Sequence, residues 1–397
     1  MADIRNYLKE KEKREKGEVS YVEKIHKYRL SHLYRILLCV AVVCVIAIMI
    51  YIQYQNHVYE TYEVLSSQTK ETAAGITELR FGRSVLIYSK DGAYCVDSQG
   101  EAKWNQTYEM QSPMAAICGN VMAIADYNGR KIYIYDTDKK LGEIDTTMPI
   151  RSICVSSKGV VAAVLDDSGV TWIRLFDTEG TVLVGFKTSM KDFGYPFWVS
   201  LSPDSNLCAV SYIYEDVGEI KTSIGFYNFG EVGKNQPNNF VAGYDHAGSI
   251  VPYVQFMNNH TAFAVGDDRL VFYQGNQKPE HVATKLFSDE LQGVYYSEKY
   301  VGLVFFSGAG SGKRLDIYDA SGERVLSREF EMDHTDILFD NETFLIYNDT
   351  ELYVGTIDGK EKYNGTFTEP IDLLVPTGTA YRYVAVTKDS IDVIRLR

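Results

Sequence analysis

The chain has 397 residues, of which 45% are hydrophobic and 23% are charged, and its formal net charge is −13. This composition excludes an intrinsically disordered chain, a collagen and a small disulfide-rich protein. The acidic total also disfavours a nucleic-acid partner, because a phosphate backbone requires a concentrated basic surface. A content of 30 Tyr and 31 Gly beside only 9 Pro favours strands and tight turns over helices.

The N-terminal segment differs in charge from the rest of the chain. Residues 1–35 carry ten basic and six acidic side chains, a net charge of +4, which leaves −17 for the remainder of the −13 total. Alternating charges from Lys9 to Lys16 are typical of a solvated, partly helical tail. We prefer that interpretation to a partner-binding or lipid-binding segment, and we predict a cytoplasmic tail over residues 1–35.

An apolar run without charge, Gly or Pro follows at residues 36–52. As a helix it covers about 25 Å, and flanking Arg35 and Tyr54 extend it toward the roughly 30 Å of a hydrocarbon core. A buried core helix would show a polar face, and a cleaved signal peptide, the nearest alternative, would be followed by small residues. We predict a signal-anchor helix over residues 36–54 that spans the cell membrane once. Its N-terminus would lie in the cytoplasm and the remainder of the chain would be extracytoplasmic.

A linker is predicted over residues 55–75, and one sequence pattern then recurs from residue 76 to the end of the chain. An alternating apolar run is followed by a polar residue, most often Asp, and in most units by a Gly a few positions later. Successive units follow at steps of 39 to 51 residues, marked by Asp97, Asp136, Asp177, Asn228, Gln274, Asp319 and Asp358. This period is typical of four-stranded β-propeller blades.

The last unit ends after its third strand, at Arg397, and would leave an unpaired sheet edge. The alternating segment 59–66 lies before the first unit and is predicted to supply the missing strand. We therefore predict an all-β fold: a single β-propeller over residues 76–397 with eight four-stranded antiparallel blades. Seven blades are the alternative if the first and last units share one blade. A pair of β-sandwiches would show a boundary near the middle of this region, and none is present.

Residue types that carry chemistry show no recognisable motif. No Cys-x-x-Cys, His-Glu-x-x-His or Gly-x-Ser-x-Gly sequence occurs, so we predict no catalytic residue, no metal and no cofactor. Residues 307–313 look like a phosphate loop, but a strand follows where a helix is needed, and we predict a hairpin loop. Four cysteines fall in predicted strands of different units, where separate buried thiols are favoured over disulfides: Cys95, Cys118, Cys154 and Cys208.

The longest steps between units bring two aromatic segments into predicted loops. The first, residues 193–198, contains Tyr195, Phe197 and Trp198, and the second, residues 244–248, contains Tyr244 and His246. Aromatic loops on a rigid scaffold are frequent recognition sites, so we predict a recognition surface here. The alternative is that Phe197 and Trp198 begin a buried inner strand.

Several motifs resemble those of known propellers. The turn at residues 202–204 and the apolar strand after it are similar to WD40-like and TolB-like repeats. The segment from Asp97 to Trp104 is similar to a quinoprotein-type repeat, in which Trp docks one blade against the next. The tail, the anchor and residues 62–67, 88–92 and 226–233 together resemble the DUF5711 family, uncharacterised membrane-anchored β-propeller proteins of Firmicutes. That resemblance implies a fold and a location and no activity.

Two functional classes remain. The first is a non-enzymatic binding or scaffolding module that presents its propeller to an extracytoplasmic protein, a cell-wall polymer or a small ligand. The alternative is an extracytoplasmic quinoprotein-like or hydrolytic enzyme, which depends only on the repeat at Trp104 and on the location.

Overall fold

The computed structural model describes residues 2–70, 75–167, 169–188, 194–246, 248–306 and 312–397. The chain divides into two compact units, one that ends at Val58 and one from Tyr59 to Arg397. The described part of the first unit contains one long helix, α1 (Ala2–Asn56). Its segment Tyr28–Gln53 has a mean hydropathy of 2.9 and is long and apolar enough to cross a membrane or to act as a signal sequence.

The second unit is a ring of four-stranded antiparallel sheets, eight within the described residues. It begins with strand β1 (Tyr62–Thr69). Blade 1 contains β2 (Thr77–Phe81), β3 (Ser84–Tyr88), β4 (Gly92–Val96) and β5 (Ala102–Thr107). Blade 2 contains β6 (Pro113–Cys118), β7 (Val121–Asp126), β8 (Lys131–Asp136) and β9 (Lys140–Asp145). Blade 3 contains β10 (Ile150–Val155), β11 (Val161–Asp167), β12 (Val170–Phe176) and β13 (Val182–Thr188).

The middle of the ring includes the longest blade. Blade 4 contains β14 (Tyr195–Leu201), β15 (Leu207–Asp216), β16 (Glu219–Asn228) and β17 (Phe240–Asp245). Between β16 and β17 lie the short helix α2 (Glu231–Lys234) and a 3₁₀ helix (Pro237–Asn239). Blade 5 contains β18 (Tyr253–Phe256), β19 (Thr261–Val265), β20 (Arg269–Gln274) and β21 (Glu280–Leu286).

The last three blades complete the ring. Blade 6 contains β22 (Leu291–Tyr296), β23 (Tyr300–Phe306), β24 (Lys313–Asp319) and β25 (Arg324–Phe330). Blade 7 contains β26 (Asp336–Asp340), β27 (Thr343–Tyr347), β28 (Glu351–Thr356) and β29 (Glu361–Thr366). Blade 8 contains β30 (Ile371–Pro376), β31 (Arg382–Thr387) and β32 (Ser390–Leu396). Its outer strand is β1, so the predicted eight-bladed propeller is confirmed.

Ring closure uses both ends of the second unit. Strand β1 runs antiparallel to β32, with Tyr62 opposite Leu396 and Thr69 opposite Ser390. The carboxylate of Glu63 accepts from Arg395 and from Arg397, the latter at 3.1 Å. The closing strand therefore lies three residues later than the predicted segment 59–66, and the seven-bladed alternative is wrong because the first and last blades each have four strands.

Hydrophobic clusters hold neighbouring blades together. Each of the eight junctions between described blades has its own cluster, contributed by strands of both blades. At the closing junction, Val85 and Ile87 of blade 1 pack with Val384 and Val386 of blade 8, all fully buried. Burial of each such side chain stabilises the fold by about 1.5–3 kcal/mol. The first strand of each blade is the inner strand, since the first strands of several neighbouring blades contact one another.

The recurring Asp is explained by the turn between the third and fourth strands. In blade 1, Oδ1 of Asp97 accepts from the backbone N–H of Gln99 at 2.9 Å and of Glu101 at 3.0 Å. Gly100 then adopts φ of +82°, which an L side chain rarely tolerates. The same two Asp bonds and positive-φ Gly recur at Asp177 and Asp319.

Trp104 joins blade 1 to blade 2, as the quinoprotein-type resemblance implies. Its ring stacks on Tyr135 with centroids 4.1 Å apart, and its indole N–H donates to the carbonyl oxygen of Asp136 at 2.9 Å. All six cysteines are free thiols. Burial raises the pKa of Cys95 and of Cys154 to about 12, which leaves these thiols unreactive at neutral pH.

Candidate functional site

The inner strand of blade 4, β14, exposes three aromatic side chains. The exposed fractions are 38% for Tyr195, 52% for Phe197 and 40% for Trp198. Consecutive side chains of a regular strand point to opposite faces, so exposure of both Phe197 and Trp198 departs from alternation. The pairing of β14 with β15 shifts register between Pro196 and Trp198, and this β-bulge turns both rings outward.

The same kind of bulge recurs near the start of other inner strands. Blades 3, 6 and 8 shift register around Arg151, Gln292 and Asp372 respectively. Gln292 and Asp372 are exposed and Arg151 is half-buried, so the bulged position is at least partly accessible to solvent in each blade. Polar residues are suited to that position. Among these four bulges, only the one in blade 4 has an apolar side chain, Phe197, at this place.

The structure changes the predicted position of these residues. Tyr195, Phe197 and Trp198 lie on a strand and not in a loop between blades. The alternative interpretation was right that Phe197 and Trp198 lie on an inner strand, and wrong that they are buried. Phe193, which belongs to the same predicted segment, lies outside the described residues. Recognition by these aromatic side chains stays a prediction.

Aromatic neighbours extend this surface on both sides. Trp198 packs against Tyr253, at the start of the inner strand of blade 5, with ring centroids 4.8 Å apart. Tyr195 lies within electrostatic reach of Tyr127 and Arg151, and burial of its hydroxyl raises its pKa. We call these five aromatic residues the aromatic band: Tyr127, Tyr195, Phe197, Trp198 and Tyr253.

Arg151 fixes one end of the band. Its guanidinium lies over the Tyr127 ring, 5.4 Å from the centroid, and its Nη1 donates to the Tyr127 hydroxyl at 3.3 Å. Nε and Nη2 both donate to Asp166, at 3.1 Å and 2.5 Å. These bonds raise the pKa of Arg151 and hold its side chain in one orientation.

A long hairpin extends beyond the sheet at the same end of blade 4. Strands β15 and β16 pair over ten residues each, whereas β14 stops at Tyr195 opposite Ile213. The tip consists of Val217 and Gly218, both with positive φ, and the Val217 side chain is 94% exposed. Next to it, Asp216 pairs with Lys221 at 2.6 Å. The blade therefore presents a projecting, mostly acidic ribbon beside Tyr195.

Tyr244 and His246 do not join the aromatic band. They lie on and just after the outer strand β17, at the junction with blade 5. The Tyr244 hydroxyl donates to the carbonyl oxygen of Pro279 at 2.8 Å. His246 is buried, and its Nε2 is 2.8 Å from the Tyr273 hydroxyl. Burial lowers the pKa of His246 to about 4, with a smaller contribution from Arg269, so the imidazole is neutral at pH 7.

No metal centre accompanies the band within the parts of the chain that the structure describes: no group of three His, Cys, Asp or Glu side chains is suitably arranged. Most of the glycine-rich segment, residues 307–311, lies outside the described residues.

Sequence reasoning missed three members of this site: Tyr127, Arg151 and Tyr253. A charged residue in the mostly apolar first strand of blade 3 was a usable signal for Arg151. Tyr253 begins the inner strand of its unit as Tyr195 does, which the repeat period could have revealed. No local signal marked Tyr127, which lies in an ordinary turn between two strands of blade 2.

Three solved structures are similar to this chain at low sequence identity. BamB from Moraxella catarrhalis is 13% identical with a TM-score of 0.47, over 85% of this chain and 98% of that chain. The Cps50 (Swd1) propeller of Myceliophteria thermophila is 10% identical with a TM-score of 0.47, over 85% and 100%. Chaetomium thermophilum Sqt1, solved with the N-terminus of ribosomal protein L10, is 12% identical with a TM-score of 0.51, over 79% and 94%. At these identities the likeness concerns the fold alone.

No curated protein sequence matches the chain. The profile of a family described as a family of unknown function, DUF5711, matches residues 55–396. This match covers the whole propeller with its closing strand, so the chain belongs to the DUF5711 family.

Proposed function

We propose that the protein is a non-enzymatic binding module that holds a protein partner against the aromatic band, outside the cell and close to the membrane. The observation that carries this proposal is the bulge in β14, which exposes Phe197 and Trp198 side by side on a rigid strand. Aromatic and Arg side chains dominate the binding energy of protein interfaces. Full burial of a large apolar side chain contributes about 1.5–3 kcal/mol, and the half-exposed rings of Phe197 and Trp198 forgo about half of this.

Charge favours a basic segment as the partner. The chain beyond residue 35 carries −17, and part of this charge lies beside the band, at the exposed Glu215 and Glu219 of the hairpin and at the paired Asp216. Complementary charge accelerates association and excludes acidic competitors. The Sqt1 structure, which has the same fold, holds the N-terminus of another protein. A propeller of this kind is thus able to bind a peptide segment.

The location is also part of the proposal. Residues 36–54 serve as an uncleaved signal anchor, residues 1–35 remain in the cytoplasm, and residues 55–75 connect the anchor to the propeller at 76–397 outside. The ten Lys or Arg side chains of residues 1–35 support this orientation, because an excess of basic residues beside a span marks its cytoplasmic side. A reporter enzyme that works only outside the cytoplasm can be fused after Arg397 to test this orientation. We expect the fusion to be active. A stable but inactive fusion would show that the propeller lies in the cytoplasm.

Photocrosslinking in cells tests the binding surface. A photoreactive amino acid at position 197 is expected to crosslink one defined partner. The matched control is position 286, where Leu is also exposed, on the outer strand of blade 5. Addition of the Trp198→Ser substitution to the protein with the photoreactive position 197 should abolish the crosslink while the protein remains folded by circular dichroism. Identical crosslinks from positions 197 and 286, or a crosslink that survives Trp198→Ser, would contradict the proposal.

A further inference from the structure

The chain enters the propeller at one face of the ring. Strand β1 begins at Tyr62, which lies opposite Leu396 at the end of β32. Because β30, β31 and β32 pair antiparallel in turn, the inner strand β30 begins at the other end of the blade, at Ile371. We call the face at which β1 begins the entry face, and the opposite one the far face.

The inner strands begin at the far face. Each blade repeats the order of four antiparallel strands, so the outer strand of one blade ends where the inner strand of the next begins. Between blades 3 and 4, the Thr188 hydroxyl at the end of β13 donates to the carbonyl oxygen of Gly194, just before β14, at 2.8 Å. Tyr195 and Phe197 are the first and third residues of β14. The aromatic band therefore lies at the far face.

The band also lies half a turn around the ring from the chain entry. Blades follow one another in sequence order, since the inner strands of blades 2 to 5 contact one another in that order. The inner strands of blades 8 and 1 also touch, at β30 and β2. In a ring of eight, blade 4 stands opposite blade 8. Phe197 is thus remote from Tyr62 both in height and around the ring.

The connection between the apolar helix and the ring is short. Helix α1 ends at Asn56, and the Tyr59 N–H already donates to the carbonyl oxygen of Lys362 in blade 7, at 2.7 Å. The Tyr59 ring packs against Tyr381 with centroids 4.9 Å apart, so the chain is fixed to the ring from this residue on. Three extended residues span about 10 Å. The three helical residues after the segment Tyr28–Gln53 add about 5 Å.

This reach is smaller than the height of the ring. The seven residues of β14 alone are about 20 Å long, whereas the connection covers about 15 Å. If the helix crosses a bilayer, the far face cannot turn toward that bilayer, because Tyr59 would then have to stand a full strand length above it. Nor can blade 4 tilt down to it, because blade 8, which carries the connection, would then be lifted by the width of the ring.

We propose that the aromatic band is the part of the propeller farthest from the membrane, and that its partner is a soluble extracytoplasmic protein that approaches from that side. This inference rests on the proposed anchor and binding surface, and adds the direction of approach. A short loop of a membrane protein does not reach Phe197, because each extended residue covers about 3.5 Å. A soluble protein arrives by diffusion, and the acidic hairpin beside the band attracts its basic segment.

Energy transfer to a labelled bilayer tests the orientation. The full-length protein is placed in liposomes with an acceptor dye on the lipids of both leaflets, so the direction of insertion does not matter. A fluorescent amino acid replaces one exposed residue at a time, and each variant is first shown to fold by circular dichroism. Ala380 and Lys388 mark the entry and far faces of blade 8, and Gln236 and Phe197 mark the same faces of blade 4.

Position 380 should give the highest transfer efficiency and position 197 the lowest, with at least about a twofold difference for a height of about 20 Å. Positions 236 and 388 are the matched controls, since each differs from position 197 in one respect only, and both should fall between the extremes. Transfer from position 197 that equals or exceeds that from any other position would overturn the inference and leave the anchor intact. Protein that does not stay with the liposomes, without transfer from any position, would overturn the anchor and this inference with it.

The class of the partner has its own measurement. The protein crosslinked in cells from position 197 is identified by mass spectrometry, and its mature sequence is expected to contain no membrane span. A partner with a membrane span would overturn its assignment as a soluble protein. The absence of any crosslink would instead contradict the proposed binding surface, whatever the orientation of the ring.

Discussion

Blades 4 and 8 share one design and use it differently. Both have a bulge near the start of the inner strand, and the bulged residue faces solvent. Blade 8 places Asp372 there, and its task is to close the ring with strands from both ends of the propeller. Blade 4 places Phe197 there, and it also carries the longest hairpin and the only insertion with helical turns in the described part of the propeller. The comparison contrasts a blade that closes the ring with one whose bulge residue, hairpin and insertion take no part in the closure.

Removal of the closing strand should have the largest effect. Deletion of residues 57–68 takes away most of β1 and its pairing with β32, which leaves an unpaired edge in blade 8. We expect the propeller to lose on the order of 5 kcal/mol of unfolding free energy, measured by chemical denaturation. The control shortens the blade 4 hairpin by replacing residues 215–220 with Asn-Gly. Similar losses from both deletions would remove the distinction between the two blades.

Exchange of the bulge residues of blades 4 and 8 tests whether Phe197 contributes to partner binding and not to stability. Phe197→Asp gives blade 4 the residue of blade 8 and should weaken partner binding by about 2 kcal/mol or more, as for an interface hot spot. Because the position is exposed, the unfolding free energy should change by less than about 0.5 kcal/mol. The reciprocal Asp372→Phe should leave partner binding intact. Titration with the partner identified by crosslinking measures binding, and chemical denaturation measures stability. A loss of stability without a loss of binding would reverse the assignment.

The stability of the protein should depend on pH because of His246, which follows the outer strand of blade 4. The folded-state pKa of His246 is about 4, below its ordinary value of 6.5, because the imidazole is buried beside Tyr273. The unfolded chain therefore binds the proton more tightly, and stability falls as the pH decreases from about 6.5 toward 4. From pH 7 to pH 5 the loss should be on the order of 2 kcal/mol.

Denaturation at both pH values checks this expectation. His246→Gln should remove most of the difference between pH 7 and pH 5, whereas the exposed His260→Gln should retain it. An unchanged pH dependence in His246→Gln would mean that other groups cause it.

The smallest effect is expected at the hairpin tip. Val217 adopts φ of +54°, which is unfavourable for a β-branched residue, and Gly218 follows at +79°. Two positive φ angles define the turn that Asn-Gly prefers, so Val217→Asn should stabilise the protein by about 1 kcal/mol. Chemical denaturation measures the gain. If partner binding weakens in the same variant, the exposed Val217 side chain belongs to the interface.

Local chemistry made the fold predictable. The Asp97 turn depends on one side chain and one Gly three residues later, both visible in the chain, so its recurrence revealed the blade period. The last unit contains only three predicted strands, so the sequence also predicted that another segment supplies its fourth strand. The closing strand lies at residues 62–69, three residues later than predicted, because strand register is set by the partner β32 and not by local alternation.

The candidate site depended on contacts between distant residues. The sequence by itself determined that blade 4 is longer and rich in aromatic residues, but it placed Phe197 and His246 alike in predicted loops. Tertiary structure separated them: a bulge against β15 exposes Phe197, and packing against Tyr273 of blade 5 buries His246. Turns and periods are encoded within a few residues, whereas the exposure of a side chain is decided by the strand or blade that packs against it.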